Sequence, residues 1–184
     1  MTSLDTHSAL DRLIRSFEDH WEHTGYPSTP YDPEWPSPCY RHEASPGQEV
    51  SWRPVLNTAG SDMFERLDDA LETSLHPDIS AYFCRYWSDP LLCRLDDGRT
   101  FSLLFAWNEA DMERLRGNLI GHALSKRKQK RPLTLFFATL EPDTDYFLSL
   151  DNQDGSIWLE RPGKPPEEKI EDSLSALLLR LTPA

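Results

Sequence analysis

The chain has 184 residues, enough for one full-sized hydrophobic core, whereas two separate cores would each be small. Hydrophobic residues make up 38% and charged residues 27%, which excludes wholesale disorder. The formal net charge of −12 argues against nucleic acid as a partner, because phosphate binding draws on Lys and Arg, and points to a basic partner instead.

In chain order, residues 5–24 read as an amphipathic helix, with Leu10, Leu13, Ile14, Phe17 and Trp21 on one stripe and Gly25 as its stop. No uninterrupted apolar core precedes or overlaps it, so neither a signal nor a transit peptide is expected. From residue 26 to 47 the periodicity vanishes under six prolines, Pro27 to Pro46, which fix φ and remove backbone donors; this is a coil. Val50 and Trp52 then alternate with polar neighbours as a short strand ended by Pro54. Ser61 predicts the N-cap of a second helix with Met63, Phe64, Leu67, Leu71 and Leu75 buried, terminated by His76-Pro77.

After that the alternation of Ile79, Ala81 and Phe83 predicts a strand. Leu91–Leu95 and Thr100–Trp107 flank Asp97-Gly98, a hairpin signal. Asn108 with Asp111 three residues later opens a third helix, whose stripe is Met112, Leu115, Leu119, Ile120 and Ala123. Residues 1–80 hold 15 acids and 5 bases, residues 81–140 hold 6 and 10, and residues 141–184 hold 10 and 4. Most of the central excess is the run Lys126, Arg127, Lys128, Lys130 and Arg131, read as a loop before Pro132. LTLFFATL, Tyr146–Asp151 and Ile157–Glu160 continue as strands, with turns at Pro142-Asp143 and Asp154-Gly155, and Ile170 to Leu181 predict a last helix. Strands separated by helices, without strict alternation, predict one α+β domain around an antiparallel sheet flanked by helices. The longest apolar run, Leu133–Leu140, is too short to span a bilayer as a helix.

Candidate chemistry is sparse. Cys39, Cys84 and Cys93 suit neither a disulfide framework nor a four-ligand zinc site and fit a reducing cytosol. His20 and His23 share a helix face but lack a recognisable third ligand, and Cys39 with His42 lacks any nucleophile signature, so no metal, cofactor or catalytic residue is expected. Phosphate loops, dinucleotide fingerprints, serine elbows and zincin helices are all missing. Trp35 and Trp52, held by proline-rich coil, read either as interface anchors or as core.

Ser37-Pro38-Cys39, the Val50, Trp52, Pro54 spacing, Asn118-Leu119-Ile120-Gly121-His122, the basic run, and Pro132 followed by LTLFFATLE ending at Glu141 resemble the Syd proteins of bacteria. The resemblance runs in order over nearly the whole chain and is densest over residues 118–141. It implies the fold of the SUKH superfamily and a peripheral partner of SecY on the cytoplasmic side of the inner membrane, acting as a regulator or assembly check of the translocase. Cytoplasmic loops of membrane proteins are rich in Lys and Arg, so an acidic protein complements them, while the anionic leaflet repels it. Membrane attachment is therefore expected only through the protein partner. Pro38, Cys39, Glu43, Trp52, Glu141 and Asp145 are the expected partner-binding residues, because two family-like segments lead into acids at coil or turn positions. Two other readings are an immunity protein of the SUKH type that neutralises a basic toxin, and a small hydrolase using Cys39 or the His20 and His23 pair.

Overall fold

The computed structural model describes residues 4–184. The first helix, α1 (Thr6–Thr24), starts where the Asp5 carboxylate accepts the Ser8 amide (2.7 Å) and buries Leu10, Leu13, Ile14 and Phe17. The proline-rich segment that follows is closed at its ends by the antiparallel pair β1 (Ser28–Pro30) and β2 (Glu49–Ser51), and β3 (Val55–Leu56) comes next. Then follow α2 (Met63–Leu71), α3 (Pro77–Phe83) and β4 (Tyr86–Trp87), which pairs back onto β3. The strand expected at Ile79–Phe83 is thus a helix. Pro77 stands at its first turn, where no amide is needed, and the His76 ring accepts the Asp78 amide (3.2 Å), so His76-Pro77 opens an element instead of only closing one. Ile79, Tyr82 and Phe83 are buried at helical spacing.

The remaining strands are β5 (Leu91–Arg94), β6 (Thr100–Leu103), β7 (Thr134–Glu141), β8 (Phe147–Asp151), β9 (Ile157–Glu160), β10 (Glu168–Glu171) and β11 (Thr182–Pro183). They form one antiparallel sheet in the order β10-β9-β8-β7-β6-β5-β11. The expected β5–β6 hairpin turns at Gly98, whose φ of 95° is costly for any residue with a Cβ. Ile170 lies in β10, so the last helix, α5 (Leu174–Arg180), starts later than its apolar pattern suggests; Ser173 caps it. The α+β expectation holds.

The longest helix, α4 (Glu109–Lys128), crosses one face of this sheet. The His122 ring meets Phe136 and Phe147 edge-on and lies 3.2 Å from the Thr134 hydroxyl. The opposite face carries Leu135, Phe137, Leu148, Leu150, Ile157 and Leu159, all buried, with Phe137 against Tyr82 of α3. Lys126 is not in a loop. It lies in the last turn of α4 with its ammonium bonded to the Glu160 carboxylate, and Glu160 also accepts from Thr134 (2.8 Å) and from Ser149. The pair is almost completely enclosed: the side chains are 7% and 0% exposed.

Two predictions follow from this contact. Removing one partner strands a buried charge, so Lys126→Ala and Glu160→Gln should each cost about 3–5 kcal/mol in denaturant unfolding, while the paired change Lys126→Met with Glu160→Leu costs much less. Burial depresses the His122 pKa, opposed by the Glu160 charge. An unfolded histidine protonates near pH 6.5, the folded one only at lower pH, so the unfolded chain gains its proton first. Stability from this group is complete above about pH 6.5 and falls as the solution is acidified. The loss of melting temperature between neutral and mildly acidic buffer should be smaller in His122→Gln.

Candidate functional site

The first turn of α4 organises a concave part of the surface. The Asn108 side chain accepts the Asp111 amide (2.8 Å) and Asp111 accepts the Trp107 amide (2.8 Å), a reciprocal cap that fits the expected spacing. Asn108 also donates to the Pro36 carbonyl (2.8 Å), and the Ser37 hydroxyl donates to the Trp107 carbonyl (2.7 Å). The proline-rich coil is thereby stapled to the start of the helix. On the other side, Arg66 of α2 bonds Asp62 (3.2 Å) and Glu113 of α4, fixing the two helices against each other.

Between these elements lies a groove of about 520 Å³ lined by Asp62, Glu65, Arg66, Trp87, Glu109 and Glu113, among others. Four carboxylates face one guanidinium. Glu65 and Glu109 make no ion pair among the described residues, and the Glu113 carboxyl is held below its ordinary range by Arg66. A second concavity of about 360 Å³, lined by Pro36, Ser37, Pro38, Trp87, Asn108 and Glu109, adjoins the first through Trp87 and Glu109. The result is an acidic trough beside an apolar, proline-walled shelf, with one half-buried tryptophan common to both. Two residues past Trp87, the Asp89 carboxyl is pushed up by burial and by the nearby Asp111 charge.

Of the six residues expected to bind a partner, Pro38 alone lines this surface. Cys39 and Trp52 are 1% and 5% exposed. Trp52 packs edge-on against Trp107 (5.8 Å) and Trp21 (5.8 Å), and Tyr40 joins the same cluster against Trp107 (5.2 Å). Their side chains are covered and support the coil from beneath. Glu43 is exposed in the coil, Glu141 sits across from Thr100 at the far end of β6, and Asp145 lies in the turn after β7; none of the three lines either concavity. Trp87, Asp62, Glu65, Glu109 and Glu113 do not stand out as a set in the sequence, since they come from three segments that meet only after packing.

The geometry offers little for nucleophilic chemistry at Cys39. Burial pushes its thiol up to about 11, and His42 is exposed with its ring nitrogen 3.1 Å from the Glu43 carbonyl. His23 turns to the Asp19 carbonyl (2.7 Å). Trp35 is half-buried with the Arg114 guanidinium 5.9 Å above its ring. Among the described residues, no helix is long and apolar enough to cross a membrane.

Comparison with known proteins supplies the family. The family model described as Syd protein (SUKH-2) matches residues 7–183. The chain is 40% identical to Protein Syd of Pseudoalteromonas atlantica over 100% of its own length and 98% of the relative. It is 39% identical to Protein Syd of Colwellia psychrerythraea over 99% and 96%, and 35% identical to that of Alteromonas mediterranea over 98% of each. A match of this length and identity, on an α+β fold with the expected motifs in order, means that the chain belongs to the Syd family.

Proposed function

We propose that this protein is a non-enzymatic binding protein that captures the basic cytoplasmic loops of SecY, and that through this contact it acts as a regulator or assembly check of the translocase at the cytoplasmic face of the inner membrane. The observation that carries this reading is the acidic groove. Asp62, Glu65, Glu109 and Glu113 line a trough of about 520 Å³, and Glu65 and Glu109 are unpaired among the described residues. A Lys- or Arg-rich loop supplies the missing counter-charges, and cytoplasmic loops of membrane proteins have that composition. Charge complementarity of this kind governs encounter and partner choice, whereas residence needs a buried anchor. Trp87, between trough and shelf, fills that second role. The carboxylates at Glu43, Glu141 and Asp145 act at longer range, adding to the field that steers the partner.

Asp89, two residues past Trp87, lines neither concavity. Its carboxylate is partly desolvated beside Asp111 and makes no ion pair among the described residues. Such a group destabilises the free protein and is relieved when a cation approaches, a pattern common at binding sites.

Binding kinetics against detergent-solubilised SecY test the proposal. The double reversal Glu65→Lys with Glu109→Lys should slow association about tenfold and flatten its dependence on salt. Trp87→Ala should instead speed dissociation. Single reversals at Glu43, Glu141 and Asp145 should each alter association less than the groove pair does. Unchanged association in the folded double variant overturns the assignment of the groove. The folded state holds the Asp89 proton more tightly than the unfolded state does, so the penalty exists above the folded pKa and vanishes on acidification. Asp89→Asn should therefore raise the melting temperature at neutral pH.

A further inference from the structure

The opposite end of α4 carries an arrangement that the groove does not use. The helix closes in a Schellman motif: the Lys130 amide donates to the Arg127 carbonyl (3.0 Å) and the Arg131 amide to the Lys126 carbonyl (2.9 Å). Lys130, at φ 56°, occupies the left-handed position usually given to glycine. This turn folds Arg131 back against the last turn of the helix. There Arg127 and Arg131 line a concavity of about 180 Å³ together with Thr73, Lys126, Ala123, Leu71 and Leu133.

Three features of this concavity concern charge. One Arg131 guanidinium nitrogen, Nη1, is buried and has no hydrogen-bond partner. Arg127 is oriented by donating one nitrogen to the Leu71 carbonyl (2.8 Å), which leaves its other donors for a ligand. Among the described residues neither arginine forms an ion pair, and no carboxylate residue lines the cavity; Lys126 alone is neutralised, by Glu160. In a chain of net charge −12, two guanidinium groups without counter-ions on an apolar wall are a selective feature. The helix C-terminus opposes an anion with only about half an elementary charge, and capping satisfies part of it, whereas the two arginines bring two full positive charges. Planar guanidinium forks match tetrahedral oxyanions bidentately, and the Thr73 hydroxyl can add a further donor.

We propose that the Arg127–Arg131 concavity is a binding site for a phosphate-type oxyanion, independent of the acidic groove. The two sites lie toward opposite ends of α4, and the nearest residues of that helix that line them, Glu113 and Ala123, are ten apart, about 15 Å along the axis. A phosphorylated soluble molecule and a lipid headgroup offer the same oxyanion. The concave shape and the single buried nitrogen favour the soluble form, because a flat anionic surface is met equally well by the exposed Lys128 and Lys130.

The test is an amide-resolved titration of the full chain with inorganic phosphate at constant ionic strength, alongside co-sedimentation with phosphatidylglycerol and with phosphatidylcholine vesicles. Saturable shifts at Thr73, Arg127 and Arg131 are expected. Affinity should fall about tenfold in Arg131→Gln, the equivalent of one charge-assisted hydrogen bond. The paired change Lys128→Gln with Lys130→Gln should leave it nearly unaltered. Vesicle binding that needs Arg131, without binding of free phosphate, would assign the oxyanion to a lipid headgroup. The site is overturned if phosphate gives no saturable shifts and vesicles no Arg131-dependent binding, or if loss follows the two lysines instead of Arg131. Should Arg131→Gln fail to fold, the positions of the wild-type shifts decide the matter: shifts away from these three residues overturn it equally.

Discussion

A lysine and a glutamate almost completely withdrawn from the surface hold the molecule in its working shape. The Lys126–Glu160 pair ties the last turn of α4 to β9, and Thr134 and Ser149 donate the carboxylate's further hydrogen bonds. A buried pair of this kind adds little net stability over an apolar substitute, because desolvation offsets the attraction. Its contribution is direction. With hydroxyls and the His122 ring around it, this end of α4 has one place to sit, and a misplaced helix would leave a charge stranded. An all-apolar interface would permit sliding that this one forbids.

Everything at the other end of the helix inherits that placement. Twenty residues from Glu109 to Lys128 act as a rigid rod, so anchoring one end fixes where Glu109 and Glu113 point at the other. Arg66 then locks α2 beside them, and Asn108 locks the proline-rich coil. The groove is thus assembled from a loop, two helices and a strand by only a few polar contacts, set over a cluster of Trp21, Trp52 and Trp107 that gives the coil a stiff floor. The charge pattern along the rod follows from the same design: acids gather at its N-terminal turn, where the helix dipole favours them, and bases at its C-terminal turn.

Local chemistry was legible in the sequence wherever a few neighbouring residues decide the outcome. The Asn108 and Asp111 spacing, the Asp97-Gly98 turn and the run LTLFFATL each stand in the structure as their residue types suggest. The misreadings share another cause. His76-Pro77 serves helix ends and helix starts alike, and the neighbours that bury Ile79, Tyr82 and Phe83 are distant in the chain. Lys126 lies in a run that looks solvated, yet a carboxylate 34 residues away draws it inside. Trp52 could be core or anchor until Trp107 was placed beside it. The groove is the extreme case: Asp62, Glu65, Trp87, Glu109 and Glu113 look ordinary on their own segments, and only packing makes them a surface.

The central claim is that this surface meets the translocase, and site-specific photo-crosslinking in inner-membrane vesicles addresses it most directly. A photoreactive residue replacing Glu65, at the rim of the groove, should crosslink to a cytoplasmic loop of SecY, while the same residue at Glu43 or Asp145 should give little product. Strong crosslinks from the outer positions with none from the groove would contradict the account.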